Sequence, residues 1–493
     1  MEVFASAILG ELATRSINFF ISKISKPLPE DAEDHLRRVL LRAQVIIDEA
    51  IGRHITNHAM LLQLDMLRDA IHRGYYTLDT FRYQSPEKWQ TKDQIVSYSW
   101  SLSKNFAKGH YLFGRNAQIL EQLQDSLDRL SSMIVDVDEL CMFLTSYPRL
   151  YRQPYSMHIL LSNCMFGRQM EAELVVNFLI QQPHGAEEPE VLPIVGPGRV
   201  GKSTLVAHVC KDERVRGHFS EILFLHDHDF TDDKVVTLGE GSAGEHKNYL
   251  SSSNRDGRLL VVAELVGDVN EDAWDRFYSA SKQCMVSGSK IIIISRSCRI
   301  AKFGTRKTLT LKILSHEAYW YFFKTLTFGS ADPETHPRLV HLAMEIARTL
   351  NGTMIGANVT AQLLRNNFDI RFWSKVLTFL KGFVQKHVSK SGEHPSDVLR
   401  DHRPTYLGRM GTSYEEIMIY QHYKCSPQEN VPMIMFEDVM FGSIRPHGKF
   451  EALIWKSRIP PYYNYVHSCE IRELETAAVK RKRSAKNGVV GLR

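Results

Sequence analysis

The stretch Val191-Leu192-Pro193-Ile194-Val195-Gly196-Pro197-Gly198-Arg199-Val200-Gly201-Lys202-Ser203-Thr204 decides how this chain is read. Val191 to Val195 is a short apolar run of the kind that forms a buried strand, and Ser203 to Cys210 begins a helix. Between them lies a GxxxxGKS loop. Its glycines let backbone N–H groups curl around phosphate oxygens, and the helix N-terminus adds its dipole. Lys202 neutralises charge on the β- and γ-phosphates, and Ser203 can ligate Mg2+. Gly196, Pro197, Gly198, Arg199, Val200, Gly201, Lys202 and Ser203 are therefore expected to hold the phosphates of ADP or ATP. Arg199 adds positive charge to that loop, or else points into solvent.

Further apolar runs at Ile222–Leu225, Leu259–Ala263 and Lys290–Ile294 are short and rich in branched residues, and helical or polar stretches separate them. They read as strands of a parallel sheet buried on both faces. A phosphate-loop enzyme also needs a carboxylate at the end of a neighbouring strand to hold magnesium, and usually a second acid to position water. Glu264, closing the strand Leu259-Leu260-Val261-Val262-Ala263, can serve the metal together with Ser203 and is the candidate catalytic residue; Leu265 stands beside it where a second acid is wanted. Binding is expected, with at most weak ATP hydrolysis. Arg296 follows the strand Ile291–Ile294, where it would face the nucleotide crevice and could sense a γ-phosphate, or would pair with a surface carboxylate.

Upstream, to about Tyr147, the pattern is helical throughout. Leu120, Leu123, Leu127, Leu130, Ile134, Val137, Cys141 and Leu144 alternate steps of three and four, which gives one continuous apolar seam. Leu36, Leu40, Ala43, Ile47 and Ile51 repeat that spacing, as do Leu64, Leu67, Ile71, Tyr75 and Leu78, and Phe4, Ile8, Leu12 and Phe19 mark a further helix. Four such helices bury their stripes most simply as an antiparallel bundle. Pro148 and Pro154 break the pattern and mark a linker. From about Ser315 to Gln385 helix returns. The last hundred residues, with prolines at 404, 427, 432, 446, 460 and 461, give no legible pattern, and no leucine-rich repeat follows.

Composition sets outer bounds. A content of 43% hydrophobic residues in 493 excludes general disorder and suffices for about three domains. No apolar run reaches the roughly 18 residues of a membrane span. Glu2 and Glu11 interrupt the apolar N-terminal stretch and no basic leader precedes it, so the protein is expected to stay inside the cell. Seven scattered cysteines without a CxxC pair fit free thiols. A net charge of +5 does not indicate a nucleic-acid partner, because phosphate backbones are held by clustered charge. The one sharp cluster is Lys480-Arg481-Lys482-Arg483, with Lys486, which reads as a nuclear-import or nucleic-acid signal or as a solvated tail.

Together these motifs resemble the NB-ARC domain of plant intracellular immune receptors of the coiled-coil class, over roughly residues 1–385. Phe166-Gly167-Arg168 is similar to the family's opening motif, which implies that Arg168 lies near the adenine; Gly196 to Thr204 matches its P-loop. Val215-Arg216-Gly217-His218-Phe219 with Ile222–Leu225 resembles its next strand, Gly288 to Arg296 its sensor strand, and Leu314-Ser315-His316-Glu317-Ala318 with Phe322, Phe323 and Phe328-Gly329 the helical motif that follows. The N-terminal helices are similar to the Rx-type domain, with Tyr75-Tyr76 where its acidic motif carries Glu-Asp and Asp79 as the remaining acid. The paired aspartates of the family's second phosphate-site motif are Glu264 and Leu265 here, its GLPL motif is Gly352-Thr353-Met354-Ile355, and no Met-His-Asp motif follows.

The resemblance implies a multidomain α and α/β chain. It comprises an Rx-type helical bundle over 1–147, a linker over 148–165, a P-loop nucleotide-binding domain over 166–314, a helical ARC-like subdomain over 315–385, and an unassigned region with a basic tail over 386–493. It further implies a truncated defence protein without leucine-rich repeats that binds ADP or ATP with Mg2+. Such a protein would act as a switch or adaptor through contacts of its bundle with other proteins, including other immune receptors, in the cytoplasm or, through its basic run, the nucleus. Two other readings stand beside it: an active ATPase in which Glu264 replaces a carboxylate pair, and an interaction scaffold with a vestigial nucleotide site.

Overall fold

The computed structural model describes residues 29–83, 121–133, 142–144, 146–148, 165–181, 188–226, 257–265, 270–401, 403–410, 412, 414–425, 430–459 and 462–474. The stripe Phe4–Phe19, the seam positions Leu120, Ile134, Val137 and Cys141, most of the linker including Pro154, and the basic cluster Lys480–Arg483 with Lys486 lie outside these residues.

Two long helices, α1 (Pro29–Ile51) and α2 (His58–Tyr83), pack against each other and against a third helical stretch at 121–133. Their contact is made by the apolar stripes: Leu36, Leu40, Ala43, Ile47, Leu64, Leu67, Ile71, Leu123, Leu127 and Leu130 are all buried in one cluster. Each large apolar side chain withdrawn from water there contributes roughly 1.5–3 kcal/mol. A further helix, α3 (Gln169–Ile180), ties this cluster to the α/β domain, with Asn177 donating to the Ile55 carbonyl at 2.8 Å.

Five parallel strands form the central sheet: β1 (Glu190–Val195), β2 (Glu221–His226), β3 (Leu259–Glu264), β4 (Lys290–Ser295) and β5 (Leu309–Thr310), in the order β2-β3-β4-β1-β5. Period-two alternation divides each strand between two cores. Leu192, Ile194, Leu260, Val262, Ile292 and Ile294 face α3 and the helix α4 (Lys202–Val209), whereas Val191, Val195, Val261, Ala263, Ile291 and Ile293 face α5 (Glu271–Cys284) through Trp274 and Phe277. Continuous apolar runs were the sequence signal because helices cover both faces.

Four helices follow: α6 (His316–Phe328), α7 (Pro337–Leu350), α8 (Met354–Asn366) and α9 (Ile370–Ser391). Ser315 caps α6, Asp369 caps α9 through the Phe372 N–H at 2.9 Å, and Gly392 ends α9 in a left-handed conformation. Trp320, Phe323, Val340, Ala343, Ala357, Leu364 and Trp373 fill their shared core.

The region left unassigned by sequence, 386–493, is ordered over its described residues. It carries an antiparallel sheet of β6 (Thr405–Gly408), β7 (Glu415–Cys425), β8 (Lys449–Lys456) and β9 (Asn464–Glu473), in the order β6-β7-β9-β8. The short helix Phe436–Phe441 covers one face with Phe436 and Val439 against Ile417, Ile419, Ala452 and Cys469. Pairing slips by one residue between Ile419 and Gln421 and again between Leu453 and Trp455. Such bulges bend a strand and increase its twist. The segments beyond both slips are the ones that reach the phosphate loop.

Candidate nucleotide site

At the carboxyl ends of β1, β3 and β4 opens a cavity of about 830 Å3, bordered also by α8 and the C-terminal sheet. This is where open parallel sheets take their ligands. Gly198 to Thr204, Arg168, Glu264 and Arg296 line it, while Gly196 and Pro197 form the turn behind it.

The loop's shape depends on its glycines. A Cβ on Gly196 would lie 2.3 Å from the Leu311 carbonyl oxygen, and one on Gly198 would lie 2.5 Å from that of Arg400. Both would force backbone to move. Next to Gly198, Arg199 holds φ at +60°, a left-handed conformation costing a non-glycine residue roughly 1–2 kcal/mol. Its Nη2 is buried without a hydrogen-bond partner among the described residues. A strained, unsatisfied cation beside a glycine loop is the state an anion relieves.

Lys202 Nζ donates to the carbonyls of Gly196 and Pro197 at 2.7 and 2.8 Å. Burial, reinforced by Arg296, pulls its ammonium down to about 8. Arg199 is pulled down to about 9 by burial and then by Arg296 and Arg400. Six arginines and two lysines line the cavity, and Glu264 is its one carboxylate among the described residues. The guanidinium of Arg296 lies against the loop, 3.4 Å from where a Cβ on Gly198 would stand, and it makes no ion pair among the described residues. Arg168 is 7% exposed; it bonds Glu171 at 2.8 Å and donates to the Lys312 carbonyl, which fixes the backbone leading to Ile313 and Leu314. Those two residues, with Phe166, Phe322 and Met354, make the cavity's apolar end.

Ser203 Oγ donates to Glu264 Oε1 at 2.5 Å, so the two expected magnesium ligands do meet. Leu265 beside them is buried in the sheet's core. Sequence reading missed what else meets them. Lys424, on β7, places its ammonium 3.4 and 3.3 Å from the two Glu264 oxygens. Burial works against the Glu264 charge, but Lys424 and Ser203 outweigh it and keep the carboxyl below its usual range. Tyr465, on β9, faces the loop with Thr204 holding its hydroxyl below where burial alone would push it, and Arg400 lies between α9 and β6 with its carbonyl on the loop. The only sequence signal for these was the alternation of Ile417 and Ile419, which the bulge ends before Lys424.

Among the described residues no cluster of metal-ligating side chains occurs and no helix is long and apolar enough to cross a membrane. Residues 169–332 match the NB-ARC domain family. "Disease resistance protein RGA2" of Solanum bulbocastanum is 28% identical over 43% of this chain and 23% of its own length. "Putative disease resistance RPP13-like protein 1" of Arabidopsis thaliana is 23% identical over 77% of this chain and 37% of its own. This chain thus spans well under half the length of these relatives. A solved chain titled "Structure of Drosophila ORC bound to DNA" aligns at 10% identity and a TM-score of 0.30 over 66% of this chain and 96% of that one, a likeness too slight to bear on function.

Proposed function

The chain carries an NB-ARC nucleotide-binding domain related to those of plant disease resistance proteins, and from this premise we propose that it is an ADP- or ATP-binding switch or adaptor in plant defence. One observation carries the reading: a strained glycine loop and eight cationic side chains converge on a cavity with a single carboxylate among the described residues. A nucleotide's phosphates supply the missing negative charge. In this reading Lys202 leaves the Gly196 and Pro197 carbonyls for the phosphates, Arg199 and Arg296 flank them, and the backbone of Gly198 to Thr204 cradles them. The adenine lies at the apolar end bounded by Leu314, Phe322 and Met354, with Arg168 fixing its wall. Ser203 and Glu264, the pair from which magnesium ligands were expected, bond each other instead, and Lys424 faces the same carboxylate. Among the described residues no second acid stands beside Glu264 to activate water, which favours holding a nucleotide over cleaving it.

Signalling would pass through protein contacts of the N-terminal helices, in the cytoplasm or the nucleus. Leu41 and Val45 on α1 and Leu62 and Met66 on α2, each about half exposed, give those helices an apolar outer face among the described residues.

Titrating ADP into the parent and into Lys202→Ala tests the reading. A charge-assisted contact is worth about 1.5–3 kcal/mol, so the variant should bind roughly ten- to a hundredfold more weakly. Equal affinity in both would remove the phosphate loop from the binding site.

A further inference from the structure

Lys424 occupies an unusual place for a residue of a C-terminal sheet. Its ammonium sits within 3.4 Å of both oxygens of Glu264, the carboxylate that also accepts the Ser203 hydroxyl. The position is held from three sides. Across the strand pair Lys424 stands in register with Tyr465, which lines the same cavity as Thr204 of the loop; its ammonium lies 4.8 Å over the Tyr463 ring; and the bulge at Ile419/Gln421 shifts the pairing of this end of β7. This is therefore a built contact between a distant strand and the phosphate site.

A magnesium ion asks for six oxygens at about 2.0–2.1 Å and gives up its water reluctantly. Here the Ser203 hydroxyl is turned onto Glu264, both Glu264 oxygens face an ammonium, and Leu265 offers no further oxygen. A dication would enter beside a fixed positive charge. Lys202, Arg199, Arg296 and Arg400 already line the same cavity, so the phosphates do not need a metal to be neutralised.

We propose that Lys424 takes the place of the divalent cation, so that this site binds a nucleoside diphosphate with an affinity independent of magnesium. The inference rests on the nucleotide-binding reading and deepens it: the C-terminal sheet completes the phosphate site with a side chain instead of an ion.

The test is an ADP titration of the full chain by calorimetry, in millimolar magnesium and in excess EDTA, for the parent, Lys424→Met and Lys424→Arg. Lys424 is about a third exposed, and Met preserves its stem, so folding should survive; Lys424→Arg retains the charge. The parent and Lys424→Arg should bind ADP with affinities that differ by less than about twofold between the two buffers, whereas Lys424→Met should bind about tenfold more weakly in EDTA and recover in magnesium. A parent that loses tenfold or more in EDTA, or a Lys424→Met that ignores magnesium as the parent does, overturns the role of Lys424 and leaves nucleotide binding standing. A parent that binds ADP in neither buffer overturns both.

Discussion

His72 lies on α2 with its ring 5.4 Å from that of Phe166 and 5.2 Å from that of Tyr321, and its Nδ1 has no hydrogen-bond partner among the described residues. Burial, helped by Arg68, lowers it to about 3 from an ordinary value of 6.5. Between those two values the unfolded chain binds the extra proton, so stability is lost as pH falls below 6.5 and is unaffected above it. At pH 5 the loss attributable to this group is about 2 kcal/mol. His72→Phe should remove it, and acid unfolding followed by circular dichroism should then have its midpoint at lower pH than in the parent; an unchanged midpoint would assign the acid sensitivity elsewhere. Backbone decides the outcome at Gly196 instead. With a Cβ there 2.3 Å from the Leu311 oxygen, Gly196→Ala should displace the loop and weaken ADP binding by at least about tenfold, while melting of the purified chain tells a distorted loop from an unfolded domain.

Helix α2 is the element whose sequence reading changed most usefully. Tyr75, Tyr76 and Asp79, where the sequence resemblance led one to expect an acidic motif, all turn toward the helical subdomain. Tyr76 accepts from Arg348 at 2.9 Å and meets His316 at 3.2 Å, and the Tyr75 and Tyr321 rings are 5.4 Å apart. Asp79, 5% exposed, accepts from Trp320 Nε1 at 2.8 Å and pairs with Lys324. One tyrosine hydroxyl, a ring contact and one buried carboxylate thus join the two elements, with Arg82 and Arg37 pairing Glu334 at the rim. Removing one partner of a buried pair costs about 3–5 kcal/mol, because the other is left uncompensated. Asp79→Ala should therefore free α1 and α2 for early cleavage in limited proteolysis while the parallel sheet stays resistant. Cleavage at the parental rate would show that the N-terminal helices are held by other contacts.

Across the whole molecule, legibility followed the physical origin of each signal. The parallel sheet could be read because helices on both faces make its strands continuously apolar, as in Lys290-Ile291-Ile292-Ile293-Ile294, and the loop because its glycines and Lys202 recur at fixed spacing. The four-stranded C-terminal sheet could not. Its alternation runs only from Glu415 to Ile419 before a bulge shifts the face, and no local pattern in Lys424 or Tyr465 announces a partner more than a hundred residues away. Such pairings are set by tertiary packing, which local periodicity does not encode. They place residues of β7 and β9 beside the phosphate loop, with α2 docked on the helical subdomain that lines the same cavity. The most direct measurement is to denature protein purified without added nucleotide, chromatograph what is released, and repeat after incubation with ADP and removal of the excess. An adenine nucleotide near one per chain is expected in the parent after incubation and is lost in Lys202→Ala; a parent that holds none before or after incubation would rule out a nucleotide site here.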